Sequence, residues 1–257
     1  MDIRANITYL SPDNRLAGKK IVITGGGRGL GAAMCRKFTA EGAEILIAGR
    51  NIDKLREMSE TVGCHYLPLD VQDTSSIPNF IAKADHILGG INCLINNAGI
   101  SLHEGNILNV SEFDFQRQLD TNLRGAYFLT QQFIKLIEAN NRTNTNVLFV
   151  SSERGIFADD IPYGLTKAAV NSLVQGLAWR YITKGIRFNA IAPGVTTSDM
   201  TGFKEDGNLY CNYNMTKRVY LPEEVAEVAC FLISDASRCL NGQIIACNEG
   251  KSINYKR

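Results

Sequence analysis

Tyr163 and Lys167 stand four residues apart, the spacing that brings two side chains onto one face of a helix. A free phenol titrates at about pH 10 and is a poor base near neutrality. An ammonium group beside it favours the phenolate and lowers that value. Such a tyrosine can hand a proton to a carbonyl oxygen or take one from an alcohol. Ser152, just past a run of apolar residues, could hydrogen-bond the same oxygen as charge develops on it, with Ser151 as the alternative. Asn122 falls within a long helical pattern. Each residue alone has an ordinary reading: a tyrosine–lysine pair on an exposed helix, a serine capping a strand end, an asparagine on a helix surface. A serine-hydrolase arrangement is excluded, because no histidine follows the serines and no GxSxG elbow is present.

A second constellation lies near the start of the chain. Residues 24–31 read Thr24-Gly25-Gly26-Gly27-Arg28-Gly29-Leu30-Gly31, between an apolar run and a helical one. Glycines let the backbone turn sharply and approach a pyrophosphate, and a helix starting there aims free N–H groups at the anion. The GxGxxG template is missed; the pattern present is TGxxxGxG. A plain glycine-rich turn is the alternative, and its place as the first turn of an alternating chain argues against it. Folds of this kind that select NAD usually carry an acid at the end of the second strand. Here that end reads Ile47-Ala48-Gly49-Arg50. A carboxylate would repel a 2′-phosphate, whereas a guanidinium binds it bidentately. Arg50, with Arg28 inside the turn, predicts NADP(H), with NAD as the alternative.

Positioning these residues requires short buried strands alternating with helices, and the apolar pattern supplies both. Strands are predicted at 19–24, 43–48, 64–69, 91–96, 146–151, 186–191 and 243–247. Helices are predicted after the glycine-rich turn to about 41, at 51–62 with Asn51 as N-cap, at 75–88, from Ser111 to about 140, from Pro162 to about 184, and from Pro222. Continuous apolar strands joined by helices predict a parallel sheet covered on both faces, and right-handed crossovers make it a doubly wound α/β domain of seven strands. Ligands then bind in the turns beyond the carboxyl ends of the strands. Residues 1–16 read as an N-terminal extension and 17–257 as a single Rossmann-type domain. The polar, aromatic and weakly periodic stretch 196–220 reads as a substrate lid.

The ordered motifs resemble the classical short-chain dehydrogenase/reductase family, in motif style its 3-oxoacyl-carrier-protein reductases. TGxxxGxG at Thr24–Gly31 is followed by Asp70-Val71 after the third strand and by Asn96-Asn97-Ala98-Gly99 after the fourth. Then come Tyr163-Gly164-Leu165-Thr166-Lys167 as YxxxK and Asn189 to Pro193-Gly194 after the sixth strand. The resemblance covers roughly residues 17–250. It implies a catalytic set of Asn122, Ser152, Tyr163 and Lys167, with Ser152 placed by an SxxG spacing to Gly155. It implies that Lys167 holds the nicotinamide ribose and that Asn122 binds a relay water. It also implies cofactor binding by Thr24, Gly25, Gly27, Arg28, Gly29, Leu30, Gly31, Arg50, Asp70, Val71, Asn97, Ala98, Gly99, Tyr163, Lys167, Pro193 and Gly194. Three departures stand out: a Ser152–Tyr163 segment about two residues short, Thr166 in place of the usual serine, and Cys247-Asn248-Glu249-Gly250 in place of a D-G-G ending.

Composition narrows the partners. A net charge of +1 gives no reason to expect nucleic acid or an anionic membrane, and no apolar stretch is long enough to span a bilayer. The seven cysteines form no CxxC pair and read as reduced thiols of a cytoplasmic protein. The histidines, His65, His86 and His103, show no metal-ligand spacing. A small-molecule substrate is expected. Glu153 and Arg154, directly after Ser152, together with the polar lid residues, suggest a polar carbonyl or alcohol, unless that charged pair is engaged with itself or a neighbouring subunit. The long helices at 111–140 and 162–184 suggest, by analogy, a homotetramer or homodimer. A catalytically silent nucleotide sensor or scaffold, and a methyltransferase-like domain, are the competing readings. The first typically loses the tyrosine or lysine, and the second needs no YxxxK.

Overall fold

The run Lys20–Thr24 sets four β-branched residues in succession, side chains that suit a strand covered on both faces. It forms β1, with Ile21 and Ile23 packed into one apolar layer and Val22 into the other, all fully buried. The computed structural model describes residues 13–204 and 206–253. Six further strands follow: β2 (Glu44–Gly49), β3 (His65–Pro68), β4 (Cys93–Asn96), β5 (Thr145–Val150), β6 (Ile186–Pro193) and β7 (Ile244–Cys247). They lie in the order β3-β2-β1-β4-β5-β6-β7, and every pairing is parallel. This is the doubly wound, seven-stranded sheet that the apolar pattern predicts.

The helices are α1 (Gly29–Ala40), α2 (Ile52–Val62), α3 (Ile77–Leu88), α4 (Glu112–Leu119), α5 (Ala126–Ala139), α6 (Pro162–Arg180) and α7 (Pro222–Ile233). Phe38, Leu55 and Val225 bring α1, α2 and α7 onto one face of the sheet. Phe80, Phe133 and Val174 bring α3, α5 and α6 onto the other. Local chemistry sets the ends. Asn51 caps α2 by accepting from Lys54 N at 3.0 Å, and Ser111 caps α4 by accepting from Asp114 N at 3.0 Å.

One expectation is corrected. The single helix predicted over 111–140 is interrupted by a π-helical turn at Asp120–Gly125, between α4 and α5. A π turn fits one extra residue into the helix and re-aims the side chains in it. Asn122 lies in this turn.

Of the predicted extension, residues 1–12 lie outside the described residues. Arg15 pairs with Glu41 and Glu227, and Leu16 is fully buried beside α1. Five of the cysteines are buried, Cys247 is half-buried and Cys239 is exposed, all as free thiols. Among the described residues, no helix is long and apolar enough to cross a membrane. The stretch 196–220 leaves β6 and returns towards α7. Bridges join Thr196 to Tyr220 and Tyr210 to Arg218, and Leu209, Cys211, Val219 and Leu221 form a small core of its own.

Candidate active site

The strand order reverses between β1 and β4, so a crevice opens beyond their carboxyl ends. Two turns form its floor, and side chains staple them together. Thr24 Oγ1 donates to Ile95 O at 3.3 Å and accepts from Asn97 N and Ala98 N, each at 3.0 Å. Asn97 Nδ2 donates to Thr24 O at 2.8 Å and Gly25 O at 3.2 Å. These two side chains, expected at the cofactor, are thus engaged in building the cradle itself.

The cradle is closed to side chains. A Cβ on Gly31 would lie 2.2 Å from Gly25 O, so only glycine lets the first turn of α1 press against the loop. Arg28 occupies the N-cap position of α1 without a side-chain cap, which leaves the leading N–H groups of the helix for an anion. Gly27, Gly29 and Leu30 are half-buried beside it. On the rim Arg50 is exposed at the end of β2, and Arg28 pairs with Asp199 at 3.1 Å. Asp70 is exposed after β3 and turns back on Gln72 N at 3.0 Å, next to buried Val71. Ala98 and Gly99 are half-buried at the end of β4. Pro193 ends β6, and Gly194 N donates to Cys247 O at 3.0 Å. A narrow glycine cradle, an uncapped helix start, two rim guanidinium groups and no acid at the end of β2 fit a phosphorylated dinucleotide.

The second half of the site sits at the carboxyl end of β5. The Ser152 hydroxyl lies close enough to the Tyr163 phenol to favour its ionised form, and it accepts from Arg154 N at 3.2 Å. Ser151 does something else: its hydroxyl donates to Asn171 Oδ1 at 2.6 Å and so joins β5 to α6. Pro162 starts α6, which sets Tyr163 and Lys167 on one face. Lys167 Nζ donates to Val150 O at 2.8 Å and lies 5.5 Å from the centroid of the Tyr163 ring. The SxxG spacing has a steric cause, because a Cβ on Gly155 would come within 2.7 Å of the Lys167 carbonyl carbon.

Asn122 reaches this group from the π turn. Its Oδ1 accepts from Ile100 N at 2.8 Å, and its Nδ2 donates to Ile100 O at 2.9 Å and Thr166 Oγ1 at 3.2 Å. Thr166 Oγ1 donates in turn to Tyr163 O at 2.7 Å. Both amide protons are therefore engaged by protein groups. The Ile100 main chain and the Thr166 hydroxyl are parts of the site that sequence reasoning missed. The one available signal was Thr166 itself, a departure from the family pattern.

Burial governs the titrations. Lys167 is 4% exposed, and losing water disfavours its charge, bringing its pKa down to about 8. The Tyr163 phenol is pushed up by burial, partly opposed by the nearby Ser152 hydroxyl and by the Arg154 charge. The lowering expected from the Tyr163–Lys167 spacing is corrected: the phenol is raised, with burial the largest cause. Near neutrality the phenol holds its proton, ready to give it to a carbonyl oxygen.

The charged residues after Ser152 also depart from expectation. Glu153 is 5% exposed and accepts from Lys251 Nζ at 2.7 Å and Asn248 Nδ2 at 3.2 Å. Arg154 grips Asp159 with Nε at 2.5 Å and Nη2 at 2.7 Å. Neither pairs with the other; the first is tied to the C-terminal segment and the second folds the short stretch before α6 back on itself. Within 196–220, Cys211 and Asn214 are buried while Tyr213 is exposed.

The family described as enoyl-(acyl-carrier-protein) reductase matches residues 25–252. An L-fucose dehydrogenase of Bos taurus is 30% identical over 257 residues, covering 95% of this chain and 93% of the relative. A 3-oxoacyl-(acyl-carrier-protein) reductase of Chlamydia pneumoniae is 30% identical over 247 residues, covering 93% of this chain and 98% of the relative. The crystal structure of a putative gluconate dehydrogenase from Agrobacterium tumefaciens superposes with a TM-score of 0.83 at 28% identity, covering 93% of this chain and 98% of that one.

Proposed function

The chain belongs to the short-chain dehydrogenase/reductase family, oxidoreductases that move a hydride between a nicotinamide cofactor and a carbonyl or secondary alcohol, and from that premise we propose that Ser152, Tyr163 and Lys167 carry its chemistry while Asn122 holds them in place. The observation that carries this reading is a buried Lys167, held on Val150 O at the end of β5 and 5.5 Å from the Tyr163 ring, with Ser152 beside the phenol. Tyr163 donates its proton to the substrate oxygen in reduction and accepts it in oxidation. Ser152 donates a hydrogen bond to the same oxygen as charge builds there. Lys167, with its pKa near neutrality, holds the cofactor ribose and returns a proton towards Tyr163. The bound nicotinamide supplies or accepts the hydride.

The cofactor is NADP(H) in this reading, with Gly25, Gly27, Gly29, Leu30, Gly31, Ala98, Gly99, Pro193 and Gly194 lining its path. Arg28 and Arg50 take the 2′-phosphate. Thermal unfolding tests this directly. A ligand at 100 times its Kd stabilises the fold by about 2.7 kcal/mol, several degrees for a domain of this size. NADP+ should raise the midpoint more than NAD+, and Arg50→Ala should narrow the gap. A larger shift with NAD+ would overturn the 2′-phosphate assignment.

The substrate in this reading is a polar, sugar-like or acidic carbonyl or alcohol. Its support is the polar composition of 196–220 and the L-fucose and gluconate named for two relatives. The cytoplasm is the proposed location, on the strength of the free thiols. A homotetramer or homodimer is supported by the apolar side chains that α4, α5 and α6 leave in water: Phe113 is 71% exposed and Trp179 80%. A monomeric mass by light scattering at micromolar concentration would refute this.

A further inference from the structure

The carboxylate directly after Ser152 and one departure from the family pattern, the Cys247-Asn248-Glu249-Gly250 ending, meet in space. Glu153 is almost fully buried, and its Oε1 accepts from Lys251 Nζ at 2.7 Å while its Oε2 accepts from Asn248 Nδ2 at 3.2 Å. Asn248, 1% exposed, stands where the D-G-G ending carries an acid. An aspartate there would set two carboxylates against each other; the amide offers a donor instead.

The network continues from the C-terminal segment into 196–220. Lys251 Nζ also reaches Asn214 Oδ1 at 3.5 Å, and buried Asn214 donates through Nδ2 to Arg218 O at 2.6 Å. Arg218 joins Glu224 at 2.8 Å and Glu249 at 3.1 Å, and Thr216 hydrogen-bonds Glu249. At the root of the same stretch, Gly194 lies against the Glu153 carboxylate and the Tyr220 ring. The returning limb of 196–220 is therefore stitched to residues 248–251, and both are tied to the residue next to Ser152.

We propose that Glu153 and Lys251 are positioning residues that hold the returning limb of 196–220, and with it the substrate side of the pocket, in register with Ser152. The proposal rests on the reading above that Ser152 and Tyr163 face the reacting oxygen. A buried carboxylate is costly unless paired and fully hydrogen-bonded. Removing Lys251 therefore releases the C-terminal segment and the limb while leaving Ser152, Tyr163 and Lys167 in place.

The test is hydrogen–deuterium exchange on the full chain with NADP+ present, comparing Glu153→Gln, Lys251→Met and Lys251→Arg. Glu153→Gln and Lys251→Met should speed exchange on the order of tenfold in peptides covering 209–220, as expected for losing a charged hydrogen bond. Peptides covering 20–40 should be unchanged. Lys251→Arg, which keeps a cation with donors, should stay near wild type. Unchanged exchange in 209–220, equal loosening of 20–40, or an arginine variant as loose as the methionine one would each overturn the proposal. A missing NADP+ thermal shift in the wild type would instead count against the cofactor reading, so the two failures are distinct.

Discussion

At the carboxyl end of β1 the cleft is made of main chain: a glycine loop, a helix start without a side-chain cap, and two turns held by Thr24 and Asn97. At the carboxyl end of β5 it is made of side chains. Lys167, Asn122 and Glu153 are each fixed by partners from other elements, around Ser152 and Tyr163. The first half needs only that nothing be in the way, as the Gly25–Gly31 contact illustrates. The second must dry out and still satisfy a lysine, a tyrosine and a glutamate. Binding and chemistry should therefore separate cleanly under mutation.

The largest effect expected of that separation is in Tyr163→Phe. Removing the phenolic hydroxyl takes away the proton donor and should lower kcat by about 10²–10⁴-fold. The NADP+ thermal shift should remain, because the cradle is built elsewhere. Loss of both together would break the comparison. A smaller contrast sharpens it: Ser152→Ala should cost about 10²-fold in kcat, as removal of an oxyanion donor does. Ser151→Ala gives up its bond to Asn171 and should cost about 1 kcal/mol of stability with little change in turnover.

The same contrast explains what could be read from the sequence. The cradle was legible because its cause is local: Gly25 to Gly31 lie in one stretch, between a strand and a helix that the apolar pattern marks. Tyr163 and Lys167 were legible through a spacing of one helical turn. The partners of the second half were not. Glu153 finds Lys251 across 98 residues and Asn248 across 95, and no periodicity links them. The π turn at Asp120–Gly125 leaves the apolar pattern of a helix intact, so 111–140 reads as one element. The direction of the Tyr163 shift was misread for a related reason. Spacing reports that an ammonium is near a phenol, but not how little water reaches either.

Lys167 offers the finest test of that dryness. Burial disfavours its charged form, so its pKa falls from 10.5 to about 8 on folding. Below about pH 8 both folded and unfolded chains hold the proton, and the cost of burying the ammonium is fully present. Between about pH 8 and 10.5 the unfolded chain keeps a proton that the folded chain has released, so stability rises with pH through that window. The span corresponds to roughly 3 kcal/mol at about 1.4 kcal/mol per unit. Lys167→Met has no such proton. The unfolding midpoint of the wild type, measured against that variant, should therefore climb by several degrees between about pH 8 and 10 and stay level between 6 and 7.5. A difference that is flat over the whole range would mean that water reaches the ammonium freely. The side-chain half of the cleft would then be no drier than the cradle, and the proton near Tyr163 would be set by solvent instead of by the fold.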